Sequence, residues 1–320
     1  MTGPRSFWPR FLAVDFLVFS YTAWVALLVV VLRENVPRPG PILAFHLFVL
    51  AAMVLVPPRG AAWERPASGE SRFRRNVRGG LRFFRYSYPL LLVVFYFEEV
   101  QRTVNMILPS APYWFESHLY AADRFLFGEL PATLLNPHVA IVPNEVFHGF
   151  YFSYYFILIG GVVMAWLGDG STGNPSPAFQ TTLTSALFAF IFCFVWYPFL
   201  PARGPWENPV LMATMTPFRG FLFTPIIEKV IEHGAVSGGC FPSSHVAGSW
   251  AVVFGLTGSS PRRALRIGLL AVGLSVACVY TRYHHAVDVF AGLLAAIAGF
   301  LVARVLAKRP FNGTTSPGRS

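Results

Sequence analysis

Long apolar runs separated by polar or basic segments are the dominant pattern of this chain. Eight of these runs are candidate membrane spans, at residues 11–32, 41–56, 86–108, 146–167, 183–200, 245–256, 264–280 and 286–306. A hydrocarbon core of about 30 Å requires about 20 apolar helical residues, so the second, sixth and seventh runs are short. The pattern predicts an all-α, polytopic membrane helix bundle with about eight spans.

Composition supports a membrane protein and excludes an ordinary soluble one. Hydrophobic residues make up 54% of the chain and charged residues only 12%, whereas soluble domains are roughly a quarter charged. With eight spans, both termini lie on one side, and 17 of the 25 lysines and arginines fall there. Basic segments favour the cytoplasmic side, so we expect cytoplasmic termini in a multi-pass protein of a bacterial inner membrane. The net charge of +10 therefore requires no nucleic-acid partner.

The segments between the runs suggest a division of the chain. Residues 1–145 are predicted to hold N-terminal spans and, at 109–145, an aromatic-rich interfacial helix. An Arg-rich stretch at 71–85 is predicted as part of a cytoplasmic loop that determines topology near anionic lipid. Residues 146–306 form the predicted core, with an amphipathic helix at 223–233, and 307–320 are predicted to be a disordered tail.

The cysteines and histidines indicate no disulfide or cofactor. Cys193, Cys240 and Cys278 form no disulfide framework, and two of them lie in apolar runs where a small core residue is expected. An aspartate with two histidines could in principle bind zinc. The chain has no recognisable metal-ligand set, however, so no metal or other cofactor is predicted.

A polar motif, Pro242-Ser243-Ser244-His245, opens the sixth run. Proline and serine before an apolar helix are typical of a helix N-terminus with a serine cap. Such an end presents free N–H groups and partial positive charge, so with Ser243 and Ser244 it can hold phosphate oxygens. His245 could then protonate a leaving alkoxide, because imidazole titrates near neutral pH. The alternative is a capped helix with a solvent-facing histidine.

A second motif at 281–288 opens the eighth run. His284 and Asp288 share a face if they are helical, and a carboxylate that binds one ring nitrogen leaves the other free to attack phosphorus and form a phosphohistidine. Arg282 can bind phosphate oxygens bidentately. If the sixth and seventh runs both cross the membrane, His245 and His284 meet on one face. The alternative is an interfacial cluster of snorkelling residues.

Several further residues have two interpretations each. His285 competes with His284 as nucleophile, because it stands three positions before Asp288, which is also a permitted helical spacing. Arg203 ends the fifth run on the motif side as a second phosphate clamp or an interfacial anchor. The remaining candidates could contact a lipid headgroup or serve in ion pairing and packing, and they are Glu98 and Glu99 in the third run and His148 and Tyr151 in the fourth.

The paired motifs resemble the type-2 phosphatidic acid phosphatase superfamily, whose general pattern is Pro-Ser-Gly-His followed by Ser-Arg-x5-His-x3-Asp. Only one residue separates Arg282 from His284, which is more similar to the branch with fungal inositol phosphorylceramide synthase and sphingomyelin synthase. A third family motif, Lys-x6-Arg-Pro, is poorly kept, since Trp196 stands seven residues before Arg203. The resemblance implies a six-helix core after added N-terminal spans, with His284 as nucleophile, Asp288 as its orienting partner and His245 as general acid.

These patterns predict a membrane enzyme that transfers a phosphoryl or phospho-headgroup unit from a phospholipid or lipid phosphate. Water as acceptor would make it a phosphatase, and a lipid or sugar hydroxyl would make it a phosphotransferase. The alternative is a transporter that binds an anion or lipid phosphate with the same cluster.

Overall fold

A computed structural model describes residues 12–55, 69–168 and 175–307, and the regular structure in these ranges is helical, without a strand. The predicted tail at 307–320 lies outside the described residues, apart from its first residue, which ends the last helix. Twelve α-helices occur in the described part of the chain. They are α1 (Ala13–Val31), α2 (Pro39–Leu55), α3 (Arg72–Thr103), α4 (Glu116–Phe127), α5 (Pro131–Leu135), α6 (Ile141–Leu167), α7 (Pro177–Trp196), α8 (Pro209–Met212), α9 (Phe223–Gly234), α10 (Ser244–Thr257), α11 (Pro261–Tyr280) and α12 (Ala286–Ala307).

Each of the eight predicted spans coincides with a helix, and the all-α prediction is confirmed. Five helices, α1, α6, α7, α11 and α12, are long and apolar enough to cross a membrane. The second run became the 17-residue helix α2, and the sixth became the 14-residue helix α10. Most of the third run lies in α3, which also contains several charged residues and ends at Thr103, five residues before the predicted end of the run.

The expected loop at 71–85 is wrong, because α3 begins at Arg72 and continues without a break into the apolar run. Ser71 caps this helix, and its hydroxyl accepts a hydrogen bond from the Arg74 N–H at 3.3 Å. Arginine and leucine are good helix formers, so a basic segment need not be a loop. The Arg-rich segment is therefore the polar first half of a long helix.

Helix α10 occupies the centre of the bundle and packs against α6, α7, α11 and α12. Most of its residues are buried, and small side chains allow the neighbouring helices to approach closely. A Cβ at Gly255 would lie 2.5 Å from the Cα of Thr182 in α7, so only glycine fits there. The shortest candidate span is thus shielded by other helices.

The short helices lie near the ends of the long helices that carry the two motifs. The predicted amphipathic helix at 223–233 is confirmed as α9, and the predicted interfacial segment 109–145 contains α4, α5 and the start of α6. Glu145 of α6 anchors the first turn of α9, because its carboxylate accepts hydrogen bonds from the backbone N–H groups of residues 221–224 at 2.7–3.3 Å. This contact fixes α9 beside the motif residues.

Candidate active site

The first motif forms the N-terminus of α10, as predicted. Ser243 is the N-cap, and its Oγ accepts a hydrogen bond from the Val246 N–H at 3.4 Å. The Ser243 N–H donates to the backbone carbonyl of Asp288 at 3.2 Å, and the Tyr197 hydroxyl donates to the Pro242 carbonyl at 3.2 Å. These bonds join the start of α10 to the start of α12 and to the end of α7.

The second motif is a tight reversal between α11 and α12. Arg282 adopts a left-handed conformation, with φ of 66°, directly after the C-cap Thr281. A left-handed residue at this position is a common way to end a helix. The chain then turns back so that the His284 N–H donates to the Cys278 carbonyl at 3.0 Å. The reversal directs His284 toward the N-terminus of α10.

His284 lies between a carboxylate and the first motif. Its Nδ1 is 3.4 Å from Asp288 Oδ2, while its Nε2 is 3.2 Å from Ser243 Oγ and 3.5 Å from His245 Nδ1. The other nitrogen of His245, Nε2, is 3.1 Å from the Tyr151 hydroxyl. Residues 39 positions apart therefore form one connected polar chain, with Nε2 of His284 at its centre.

Cys240 also belongs to this cluster, although the sequence suggested no role for it. Its thiol donates to Asp288 Oδ2 at 2.7 Å and lies 3.4 Å from His284 Nδ1. Burial, reinforced by the negative charge of Asp288, raises the pKa of the Cys240 thiol well above its ordinary value. The thiol therefore remains protonated, as a donor to Asp288, near neutral pH. The signal in the sequence was its position two residues before Pro242, where the first motif begins.

His285 is separated from this cluster and faces α4. Its Nδ1 is 3.5 Å from Asp123 Oδ2, and its ring packs edge-on against Tyr120. Burial lowers the pKa of His285, but the interaction of its ring with the Asp123 carboxylate and the negative charges of Asp123 and Asp288 outweigh burial, so the pKa is raised overall. Of the two histidines that compete by spacing, only His284 approaches the first motif.

Asp123 is a second residue that the sequence analysis did not single out. Its carboxylate accepts hydrogen bonds from the Ala286 N–H at 3.1 Å and the Val287 N–H at 3.0 Å. Asp123 is buried, and it caps the first turn of α12, which also contains Asp288. No local pattern indicates this pairing, because 163 residues separate Asp123 from Ala286.

A cavity of about 280 Å³ opens onto the histidine cluster. Ser244, His245, His284 and Cys240 form its polar end, beside the tyrosines of α6. Apolar residues of α3, α7 and α9 line the remainder. Within the described residues no lysine or arginine lines the cavity, but two carboxylates do, from Glu98 and Glu207.

The two arginines proposed as phosphate clamps lie elsewhere. Arg282 is 1% exposed, and its Nη2 donates to Asn136 Oδ1 at 3.0 Å and to the Thr216 carbonyl at 2.9 Å. Burial lowers its pKa. Arg203 Nε donates to Glu116 Oε2 at 2.7 Å, and this bond raises the arginine pKa. Both guanidinium groups are engaged by protein partners outside the cavity.

Of the four headgroup candidates, two line the cavity and two do not. Glu98 and Tyr151 line the cavity. Glu99 is buried, and its Oε1 lies 3.5 Å from Nε2 of His46 in α2, which is the ion-pair alternative. His148 is buried and donates from Nδ1 to the Asn144 carbonyl at 2.7 Å. The cavity lining contains neither Glu99 nor His148.

One group of side chains has the donor types of a metal site. A sulfur of Cys240, a nitrogen of His284 and an oxygen of Asp288 lie within 4.8 Å of one another, and all three residues are buried. No metal was predicted from the sequence, where Cys240 was not considered as a ligand.

Comparison with known proteins identifies the family. The sequence pattern that defines the PAP2 superfamily matches residues 117–302, more than half of the chain, and includes both motifs. No curated protein and no solved structure matches the chain. Since this superfamily contains membrane phosphatases and five helices are able to span a membrane, the chain is an integral, multi-pass membrane protein that belongs to the PAP2 superfamily.

Proposed function

We propose that the protein is a lipid phosphatase or phosphotransferase that works through a phosphohistidine on Nε2 of His284. One observation carries the proposal: Nε2 faces Ser243 and His245 at the cavity, while Nδ1 faces Asp288. A carboxylate at Nδ1 favours the tautomer with the proton on that nitrogen. The lone pair is then on Nε2, where a bound phosphate would meet it.

The reaction would proceed in two balanced steps. In the first, Nε2 of His284 attacks phosphorus, the bond to the leaving oxygen breaks, and His245 gives that oxygen a proton. In the second, His245 takes a proton from water or an alcohol, whose oxygen attacks the phosphohistidine and frees Nε2. The Tyr151 hydroxyl, 3.1 Å from His245 Nε2, holds the imidazole in position for both transfers.

The charge of the phosphate would be balanced mainly by the N-terminus of α10. The cavity has no lysine or arginine among the described residues, whereas Ser243 and Ser244 begin a 14-residue helix there. Helix N-termini stabilise anions through free N–H groups and the helix dipole. Two cavity carboxylates make the site less favourable for a doubly charged phosphate than for a singly charged diester.

A lipid substrate fits the shape and lining of the cavity. The polar end holds the histidines, and the walls from α3, α7 and α9 are apolar apart from Glu98, with Val94, Phe97 and Ile231 among their residues. Apolar walls beside a phosphate site match a headgroup joined to acyl chains. The acceptor would be water, or an alcohol of a lipid or sugar that enters from the same end.

We further propose that this site faces the outside of a bacterial inner membrane. Both motifs lie at the C-terminal end of α11 and the N-terminal ends of α10 and α12. Basic residues concentrate at opposite ends, in the first half of α3 and at Arg262, Arg263 and Arg266 in α11. Basic ends favour the cytoplasm, which leaves the motifs outside.

The test is turnover of a panel of phospholipids and lipid phosphates by the purified protein, with and without alcohol acceptors. We expect His284→Ala to lower turnover by at least ~10³-fold, because the nucleophile is lost. Phosphorylated protein trapped by a quench in alkaline denaturant should carry phosphate that later acid treatment releases, in the wild type and not in the variant. His285→Gln is the matched control, since this neighbouring histidine faces Asp123, and it should retain the labelled intermediate.

The products then distinguish the reactions. Transfer to water would identify a phosphatase, and its product would be free phosphate from a lipid phosphate or a phosphomonoester from a diester. A new phosphorylated lipid or sugar, formed only when the alcohol acceptor is present, would identify a transferase. Unchanged turnover in His284→Ala would disprove the phosphohistidine mechanism. Binding of lipid phosphate without any turnover by the wild type would instead favour the transporter.

A further inference from the structure

Three different donor atoms converge behind the proposed nucleophile. Cys240 Sγ is 2.7 Å from Asp288 Oδ2 and 3.4 Å from His284 Nδ1, which is itself 3.4 Å from Asp288 Oδ2. The other carboxylate oxygen, Asp288 Oδ1, is buried and has no hydrogen-bond partner in the part of the chain that the structure describes. The cluster therefore holds three closely spaced atoms that can bind a metal ion, and a fourth atom, Asp288 Oδ1, that has no hydrogen-bond partner among the described residues.

We propose that Cys240, His284 and Asp288 form an inhibitory site for a thiophilic divalent cation of the Zn²⁺ class. Bonds of about 2.0–2.3 Å in tetrahedral geometry separate neighbouring ligand atoms by about 3.4–3.7 Å. Two of the three separations already lie at the lower end of this range. Only the contact between Cys240 and Asp288 would have to open, by about 1 Å, when the metal replaces the thiol proton.

The donor set selects among metals. Thiolate and imidazole favour Zn²⁺ and its heavier congener Cd²⁺, whereas Mg²⁺ and Ca²⁺ require mainly oxygen ligands. Three protein ligands leave the fourth tetrahedral position for water, as in sites that remain open to exchange. Cys240 and His284 both line the cavity, so an ion can reach them from the substrate side.

Metal binding would switch off His284 by changing its tautomer. The metal takes the lone pair of Nδ1, so the single proton of the neutral ring must reside on Nε2. Nε2 then has no lone pair to attack phosphorus, while Cys240 releases its thiol proton to solvent. The binding site stands without the proposed function, but this inhibitory consequence rests on it.

The experiment measures binding and inhibition separately on the purified full chain. Cd²⁺ titration should produce a cadmium–thiolate charge-transfer absorption that saturates at one ion per chain. Cys240→Ser should abolish this absorption. Cys193→Ala is the matched control, because Cys193 is also buried and lies in α7, away from the cluster, and it should keep the signal.

Inhibition is read as the metal concentration that halves each variant's own metal-free turnover. We expect this Zn²⁺ concentration to rise at least ~10-fold in Cys240→Ser, since loss of one ligand weakens a site at least as much as loss of an outer-shell partner. Mg²⁺ should not inhibit, and a chelator should restore turnover. In wild-type protein, Zn²⁺ should also protect Cys240, and not Cys193, from alkylation located by mass spectrometry, which keeps the test valid if Cys240→Ser does not fold.

Each result decides a separate question. Absence of the thiolate absorption in the wild type, its persistence in Cys240→Ser, or equal inhibition by Mg²⁺ would overturn the metal site. If Cd²⁺ binds through Cys240 while His284→Ala retains turnover, the metal site stands and the phosphohistidine function fails.

Discussion

At the scale of single residues, Arg282 combines a backbone role with a buried charge. It ends α11 in a left-handed conformation, and its guanidinium binds Asn136 and Thr216 and lies 4.2 Å from the ring centroid of Phe218. A planar guanidinium that is both stacked and hydrogen-bonded has no equivalent in lysine. Arg282 therefore connects the motif reversal to the segments before α6 and before α9.

Arg282→Lys should destabilise the protein without weakening binding of a phosphate analogue. We expect the loss of the forked hydrogen bonds to lower the stability by about 1–3 kcal/mol, seen as a lower melting temperature in detergent. Vanadate affinity of the folded protein should stay unchanged, as in the exposed control Arg262→Lys. An unchanged melting temperature with much weaker vanadate binding would instead make Arg282 a phosphate ligand.

The residues of the candidate site differ in how far the sequence could predict them. The proximity of His245, His284 and Asp288 followed from two motifs at helix starts, because their spacing and the two intervening apolar runs bring both ends to one face. Cys240 was not recognised, because its role depends on its distance in space from Asp288. No spacing in the sequence indicates that contact. The direction of the Arg282 side chain depends on a left-handed backbone angle, which a pattern of residue types does not specify.

At the scale of secondary structure, α4 holds the start of α12 through Asp123. The carboxylate caps two backbone N–H groups of α12 and faces His285. Asp288 is in the same first turn of α12, so a shift of this turn would move the carboxylate that orients His284. Asp123 is thus a positioning residue for the site, although it touches none of the cavity.

Asp123→Asn should reduce both stability and turnover. An asparagine retains one acceptor oxygen in place of two, and loss of a cap costs about 0.5–2 kcal/mol. We expect a lower melting temperature and a lower kcat with little change in KM, because substrate contacts remain. Glu129→Gln, at an exposed ion pair after α4, should leave both unchanged, and an increase in KM alone would contradict the positioning role.

The stability difference between wild type and Asp123→Asn should also depend on pH. The raised pKa of His285 means that its charged form is stabilised in the fold. The contribution of the His285–Asp123 pair is therefore complete below the ordinary histidine pKa of about 6.5 and is lost as pH rises through the raised value. Melting curves should show a larger difference below about pH 6.5 than in alkaline buffer, and a larger difference in alkaline buffer would refute the pairing.

The sequence predicted the existence of the helices better than their ends. Apolar run length located all eight long helices, because burial in lipid or in the bundle demands apolar residues. The start of α3 was misjudged, because the basic residues of its first half were taken as the sign of a loop. Charge indicates that a segment lies outside the membrane, but it does not distinguish a helix from a loop. The amphipathic helix α9 was found because its apolar face repeats with helical period, whereas the Glu145 contact that anchors it is long-range.

At the scale of the whole molecule, the orientation of the site depends on whether α10 crosses the membrane. Its 14 residues span about 21 Å at 1.5 Å per residue, less than a hydrocarbon core of about 30 Å. Because α6, α7, α11 and α12 surround it, its polar ends contact protein and need not reach the lipid headgroups. A short central helix is then compatible with a full crossing.

Single cysteines placed at Ser110 and Ser259 test this arrangement. Both positions are exposed, one between α3 and α4 and the other between α10 and α11, and the three native cysteines are buried. In spheroplasts of a bacterial host, a membrane-impermeant maleimide should label Ser110→Cys directly and Ser259→Cys only after permeabilisation. Labelling of both from outside would mean that α10 does not cross. Labelling of Ser259→Cys alone would mean that α10 crosses in the opposite direction. The motif end of α10 and the α3–α4 segment would then lie together on the cytoplasmic side, and the histidines would face the cytoplasm.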